Sequence, residues 1–251
     1  MTLAEQPTRT DFTGRVAAVV ADIDTAAAID NDFYRLWMGG PLTYRQVRVF
    51  AREYFARTRF TAVMVALSVL NTTDLAARVE CVKNLYSEYG NGNVEKAHPV
   101  LLESFLGDLL SRLAGRPVTV AEVALEPELP STAAFSTGQR ELFSADDERV
   151  VQGALLAQEH LAFAMLTRLY EGVRNYKPLW PREDDFHEAC EYFYVHIGEA
   201  EKEHKREAVI SAARVCRTED DFAVVLCGYD RFLALTAGYW RGVHDAIVAQ
   251  E

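Results

Sequence analysis

The sequence lacks the features that mark several common classes of protein. No run of lysines or arginines occurs, and the formal net charge of −11 argues against the basic surface that a nucleic-acid-binding protein needs. No apolar stretch approaches the roughly 20 residues of a membrane-spanning helix. The N-terminus, MTLAEQPTRTDF, has no apolar segment of the kind found in signal peptides. We therefore expect a soluble cytoplasmic protein that binds neither nucleic acid nor membranes.

Cysteine is also scarce, and the four thiols show no CxxC spacing: Cys81, Cys190, Cys216 and Cys227. This pattern predicts buried thiols in a reducing compartment rather than disulfides or a thiolate metal site. What the sequence has is ordinary for a globular protein, with 49% hydrophobic and 25% charged residues. Its 251 residues can bury a sizeable core, and we expect one domain over residues 1–251.

Apolar residues recur every three or four positions almost throughout, and no segment alternates with a period of two. Gly39-Gly40-Pro41 and the sequence GNGN at 90–93 mark two clear breaks. The prediction is an all-α, single-domain bundle of about seven or eight helices. The pattern places them near residues 12–38, 43–71, 73–89, 131–142, 146–176, 184–216 and 220–250, with another that begins near residue 94.

Acids and histidines on apolar helix faces are the candidate functional residues, because helical bundles build iron sites from inward-pointing Glu and His. The helical neighbours of Glu159 are apolar, so its charge is expected to meet a cation or a metal. Glu88 ends a predicted helix, where the macrodipole disfavours an acid, and His98 follows GNGN. Locally, each could equally be a solvated or capping residue. His160 points about 100° from Glu159 and is expected at the rim or surface.

The stretch EYFYVHIGEAEKEHKREA, residues 191–208, holds two more histidines at an awkward spacing. On a regular helix His204 lies about 80° from His196, whereas Glu203 lies only about 20° from it. A regular helix would therefore offer His196 with Glu203. An extra residue absorbed as a π-bulge would instead align Glu201 and His204 with His196. A solvated, charged helix face fits the local pattern equally well.

Four segments together resemble the haem-oxygenase-like di-iron oxidases, which share a TenA-type helical fold. NDFYRLWMGGPLTYRQVRVFAREYF resembles the opening of that fold, and NLYSEYGNGNVEKAHPVLLESFL resembles its E…GxG…HP segment. QEHLAFAMLTRLYEGVRNY and EYFYVHIGEAEKEHKREA resemble its third and fourth blocks, in the same order. The resemblance covers about residues 33–208.

The family's ligand pattern is Glu, His, Glu, and then His-x3-Asp/Glu-x2-His on one helix. The fourth block departs from it, because the spacing here is His-x4-Glu-x2-His and the strict register would select Ala200 and Glu203. The register with Glu201 and His204 predicts that the helix bulges after His196 or is loosely ordered without metal. The resemblance implies that two Fe(II) ions are held by Glu88, His98, Glu159, His196, Glu201 and His204.

The resemblance also implies an enzyme of bacterial specialised metabolism that uses O2 to desaturate, cleave or N-oxygenate a small substrate. An amino acid is a better candidate than a fatty acid, because arginines such as Arg174 and Arg206 lie near the expected site and could hold a carboxylate. Phe163, Tyr192 and Phe193 are candidates for the pocket wall, although core packing would explain any one of them.

Two other functions stay open: a metal-free enzyme of TenA or PqqC type, and a non-catalytic helical protein that binds a small molecule. The thiaminase branch uses a cysteine nucleophile, and no cysteine here has an evident electropositive setting. The haem-dependent branch would need a histidine near the N-terminus, where Asn31-Asp32-Phe33 stand. Apolar helix faces allow a homodimer, which this fold family often shows.

Overall fold

The computed structural model describes residues 11–197 and 199–250, and the side chains of these residues except 199–202. All regular secondary structure in this described part is helical, which confirms the all-α prediction. None of the helices in it is both long and apolar enough to span a membrane. The α-helices are α1 (Phe12–Val20), α2 (Asp32–Gly39), α3 (Tyr44–Thr58), α4 (Thr61–Leu70), α5 (Leu75–Glu88), α6 (His98–Ala114), α7 (Val120–Val123), α8 (Pro130–Phe143), α9 (Glu148–Val173), α10 (Glu183–Ala189), α11 (Glu191–His196), α12 (Glu199–Arg214) and α13 (Glu219–Val248); short 3-10 segments are Ile23–Thr25, Gly90–Gly92, Val94–Lys96 and Arg174–Leu179.

The described helices are more numerous and shorter than the predicted seven or eight. Three long predicted helices are divided: the one over 12–38 between α1 and α2, the one over 43–71 at Phe60, and the one over 184–216 at Cys190 and Ile197. At Phe60, Cys190 and Ile197 the ψ angle lies between 8 and 10°, outside the helical range. Periodicity reports which face of a segment is buried. It continues across a short break and therefore does not reveal one.

The two longest helices, α9 and α13, cross at the centre of the bundle, and α9 also packs against α2, α8, α11 and α12. Both helices need glycine at the crossing. A Cβ at Gly153 would lie 2.0 Å from the carbonyl oxygen of Val225, and one at Gly228 would lie 2.3 Å from that of Val150. This close crossing fixes the face of α9 that carries Glu159.

The sequence GNGN shapes the turn that joins α5 to α6. Gly90, Asn91 and Gly92 have φ values of 64, 54 and 88°, in the left-handed region that glycine and asparagine tolerate. A Cβ at Gly90 would lie 2.5 Å from the carbonyl carbon of Lys96, so a larger residue does not fit. The turn brings the first residue of α6, His98, beside the last residue of α5, Glu88.

Candidate metal centre

Glu88, His98 and His196 converge from three helices to form a three-residue cluster. Each offers one ligand atom, and these atoms all lie within 4.8 Å of one another. Nδ1 of His98 is 3.3 Å from Oε2 of Glu88, and the ring centres of His98 and His196 are 4.2 Å apart. The cluster sits where the C-termini of α5 and α11 meet the N-terminus of α6.

The hydrogen bonds around the cluster leave imidazole nitrogens available. Nδ1 of His98 is buried and has no hydrogen-bond partner among the described residues, since its approach to Glu88 lacks hydrogen-bond geometry. Nδ1 of His196 lies 2.7 Å from the carbonyl oxygen of Tyr192 and donates to it. Nε2 of His196 therefore keeps its lone pair, as in a metal-binding histidine fixed by a backbone carbonyl.

Burial and neighbouring groups set the charges of the cluster. Burial would raise the pKa of Glu88, but the imidazoles of His98, His196 and His204 outweigh it, and the pKa lies below its ordinary value. Burial lowers the pKa of His196 to about 4, and the charge of a protonated His98 would act in the same direction. An ionised carboxylate beside a neutral imidazole is the protonation state that metal ligands require.

Glu159 of α9 and His204 of α12 line the same cavity as the cluster. Nδ1 of His204 is 4.0 Å from Oε2 of Glu159, and Nδ2 of Asn84 donates to Oε1 of Glu159 at 2.7 Å. Burial raises the pKa of Glu159 to about 7; the bond from Asn84 opposes this shift and the charge of Glu88 adds to it. A cation beside Glu159 would stabilise its charged form.

The chain between His196 and His204 is broken rather than bulged. Helix α11 ends at His196, Ile197 has φ −112° and ψ 10°, and α12 begins at Glu199. The predicted continuous helix is therefore wrong here, because Ile197 leaves the helical range of ψ, and His204 on the following helix lines the same cavity as His196. Glu203 is exposed, which disfavours the regular-helix alternative. The side chain of Glu201 lies outside the described residues, so its role stays a prediction.

The cluster opens on a cavity of about 70 Å³, and Tyr192 is the one of the three predicted wall residues that lines it. Its hydroxyl is 3.0 Å from that of Tyr54, and its ring centre is 4.7 Å from that of His196. Phe193 points about 100° away on the helix and packs against Phe105, with ring centres 4.9 Å apart. Phe163 does not line the cavity either, and Nζ of Lys205 lies 5.0 Å from the centre of its ring.

The arginines named from the sequence lie on the surface. Arg174 pairs with Glu171 at 2.9 Å, and Arg206 pairs with Glu207 at 2.7 Å. The arginine that lines the cavity is Arg57 of α3, which was not among the arginines expected near the site from the sequence. A signal was available: Arg57 follows Phe50 and Tyr54 at helical spacing, on the apolar face of α3.

His160 and the cysteines do not line this cavity. His160 is buried rather than at the rim or surface, and its Nδ1 lies 2.9 Å from the carbonyl oxygen of Leu156. Its position on the densely packed α9 explains the difference. Three of the cysteines are buried, and burial raises the pKa values of their thiols: Cys81, Cys190 and Cys216. Cys227 is exposed, unlike the buried thiol that the sequence predicts.

The profile of a family described as iron-containing redox enzyme matches residues 48–237, most of the chain. The chain belongs to this family. The matched region of this iron-containing redox enzyme includes the whole cluster together with Glu159 and His204. No curated protein sequence matches the chain.

Solved structures confirm the haem-oxygenase-like fold of this iron-containing redox enzyme. A CADD-like protein of unknown function from Nostoc punctiforme PCC 73102 is 15% identical, with a TM-score of 0.70 and coverage of 95% of this chain and 97% of that one. A domain of unknown function with a heme oxygenase-like fold from Shewanella denitrificans OS217 is 17% identical, with a TM-score of 0.64 and coverage of 94% and 90%. A TenA homologue from Pseudomonas syringae pv. tomato DC3000 is 13% identical, with a TM-score of 0.73 and coverage of 93% and 92%. At these identities the likeness concerns the fold alone.

Proposed function

We propose that this iron-containing redox enzyme is a non-haem di-iron oxidase or oxygenase. It would use O2 to oxidise a small substrate that carries a carboxylate, such as an amino acid, in bacterial specialised metabolism. The cluster of Glu88, His98 and His196 carries the proposal. Among the described residues it is the one group of three ligand side chains close enough to share a metal ion, and it contains a buried imidazole nitrogen with no hydrogen-bond partner there.

The residues present fit iron. Two imidazoles and a carboxylate form the donor set typical of non-haem Fe(II) oxygenases, and among the described residues no thiolate lines the cavity to favour structural zinc. Glu88, His98 and His196 would hold the first ion. Glu159 and His204, completed by Glu201, would hold the second.

Bound Fe(II) would supply electrons and open coordination positions for O2. The chain orients the ligand side chains and the cavity wall. The carbonyl of Tyr192 fixes the ring of His196, and the amide of Asn84 holds the carboxylate of Glu159. The bond between the hydroxyls of Tyr54 and Tyr192 holds Tyr192, which lines the cavity, in place.

Anaerobic titration with Fe(II), followed by exposure to O2, tests the proposal. We expect about two ions per chain at saturation, and then O2 consumption with a transient absorption band. Glu159→Ala should abolish the band, because a carboxylate expected at the second ion is removed. Failure of the wild-type protein to bind iron, or bound iron that does not react with O2, would show that the proposal is wrong.

The metal-free TenA-type alternative makes a different prediction. Such an enzyme would turn over its substrate in the presence of a strong chelator, whereas a di-iron enzyme would not. The cavity offers no thiol nucleophile among the described residues, which favours the di-iron proposal over a thiaminase.

A further inference from the structure

Arg57 brings a positive charge to the cavity that Glu88, His98 and His196 line. It lies in the last turn of α3 and is only 8% exposed. Its guanidinium carbon is 4.4 Å from the centre of the Phe135 ring and 5.1 Å from that of Tyr239. The charge is therefore removed from bulk water and set among aromatic rings.

Among the described residues Arg57 makes no ion pair. Its Nη1 donates to Sδ of Met165 at 3.4 Å, a weak acceptor, and its Nε is buried without a hydrogen-bond partner there. The hydroxyl of Tyr239, whose ring contacts the guanidinium, is likewise buried and unpartnered in the described part of the chain. The guanidinium of Arg57 therefore has N–H donors that no carboxylate accepts among the described residues.

The nearest acid on the same helix is already occupied. Glu53 lies one turn before Arg57, and its carboxylate pairs with Arg52 and accepts from the hydroxyl of Thr132. It also accepts from the backbone nitrogen of Leu129 at 3.1 Å. The carboxylate of Glu53 therefore joins α3 to α8 and does not neutralise the charge of Arg57.

A buried arginine without an anionic partner is costly, and contacts with aromatic faces offset only part of that cost. A planar guanidinium is suited to bind a carboxylate through two parallel hydrogen bonds. We infer that Arg57 binds the carboxylate of the substrate and holds the rest of the molecule towards the cluster of Glu88, His98 and His196. The oxidation that follows rests on the proposed function, whereas the binding of the carboxylate does not.

The rest of the cavity narrows the class of ligand. Leu161, Met165, Leu166 and Phe232 give it apolar walls, and Gln139 and Gln158 add neutral amides. With about 70 Å³ of space it holds a small ligand, since one water needs about 10–15 Å³ by the same measure. The ligand class is therefore a small carboxylic acid with a largely apolar body. Amino acids and short-chain fatty acids share this chemistry.

Binding to the full chain tests the inference without any turnover. The probes are the proteinogenic amino acids and short straight-chain monocarboxylates, each paired with its amide, which lacks the carboxylate charge. Thermal melting identifies the best probe, and calorimetric titration then gives its Kd, first with Fe(II) bound under anaerobic conditions and again after chelation. The variants are Arg57→Met, which keeps the length without the charge, and Arg57→Lys, which keeps the charge without the planar fork. Arg174→Met is the surface control.

We expect carboxylates, but not their amides, to raise the melting temperature of the wild-type protein. Arg57→Met should weaken the Kd about ten- to a hundredfold, as the loss of charge-assisted hydrogen bonds predicts. Arg57→Lys should weaken it less, and Arg174→Met not at all. Iron stoichiometry should stay at the wild-type value in all three variants. Replacement of a buried charge by an apolar side chain of similar volume is usually tolerated, and Arg57→Lys maintains the test if Arg57→Met does not fold.

Three outcomes would overturn the inference: no probe binds, amides bind as well as carboxylates, or the Arg57 variants keep the wild-type Kd. The proposed function fails separately. If the wild-type protein binds no iron but still binds carboxylates through Arg57, the di-iron proposal is wrong and the carboxylate site stands. If iron binds and reacts with O2 but the Arg57 variants keep the wild-type Kd, the di-iron proposal stands and the carboxylate site is wrong.

Discussion

Nδ1 of His98 lies 3.3 Å from Oε2 of Glu88, across a turn whose residues adopt left-handed φ values. The two atoms are close without forming a hydrogen bond, and the imidazole nitrogen has no other partner among the described residues. His196 closes the same group from a third helix. A metal ion bound by both side chains would satisfy the nitrogen and stabilise the carboxylate charge together.

Removal of His98 should remove one iron site. We expect His98→Ala to lose at least about 100-fold in Fe(II) affinity at that site, because loss of an outer partner alone typically costs 10–100-fold. His187→Ala is the matched control, since His187 is half-exposed and hydrogen-bonds to the hydroxyl of Tyr194. Anaerobic titration with a colorimetric iron assay measures both. Equal iron affinity in the two variants would remove His98 from the ligand set.

The GNGN turn should control iron binding without touching iron. Gly90→Ala and Gly115→Ala both place a Cβ at a positive φ, which costs about 1–2 kcal/mol each. Only the Cβ at position 90 would also meet backbone, at 2.5 Å from the carbonyl carbon of Lys96, whereas nothing lies within 4 Å at position 115. We therefore expect both variants to lose stability and only Gly90→Ala to lose iron affinity. Iron binding unchanged in Gly90→Ala would show that the turn does not position His98.

The crossing of α9 and α13 should depend on Gly153. Gly153→Ala would place a Cβ 2.0 Å from the carbonyl oxygen of Val225, and we expect a loss of about 3 kcal/mol in the free energy of unfolding. Gly238→Ala on α13 is the control, because nothing lies within 4 Å of its Cβ and alanine is the better helix former. That variant should gain about 0.5–1 kcal/mol. Urea unfolding measures both, and a neutral Gly153→Ala would mean that the helices can separate at little cost.

Stability in acid should depend on Asp221 at the start of α13. Its carboxylate accepts from the backbone nitrogen of Arg217 and from Nη1 of Arg149 on α9, and these bonds lower its pKa from 3.8 to about 2. A folded-state pKa below the unfolded value means that the stabilisation is complete above about pH 3.8 and is lost as the pH falls towards 2.

Asp221→Asn should therefore show a smaller loss of stability than the wild-type protein between pH 4 and pH 2, as measured by urea midpoints, because it lacks the group that titrates there. Asp220→Asn removes the same charge from an exposed position in the same turn and should keep the wild-type slope. Parallel slopes for the wild-type protein and Asp221→Asn would contradict the assignment of the low pKa to Asp221.

Local patterns in the sequence were enough to predict that the chain is helical and which types of residue stand at the candidate site. The spacing of apolar residues marks helix faces, and an acid such as Glu159 among apolar neighbours is conspicuous in the sequence itself. The breaks at Phe60, Cys190 and Ile197 were missed, because the apolar spacing runs across them. The burial of His160 was missed because α9 is surrounded by other helices on more than one face.

The sequence by itself determined that this chain is helical, that it belongs to a family of iron-containing redox enzymes, and that GNGN stands between Glu88 and His98. Only the tertiary structure decided which side chains meet. It brought His196 to Glu88 and His98, placed Arg57 at the same cavity, and left Arg174 and Arg206 on the surface. The physical reason is that periodicity fixes the direction of a side chain on its own helix, whereas a site depends on how separate helices cross.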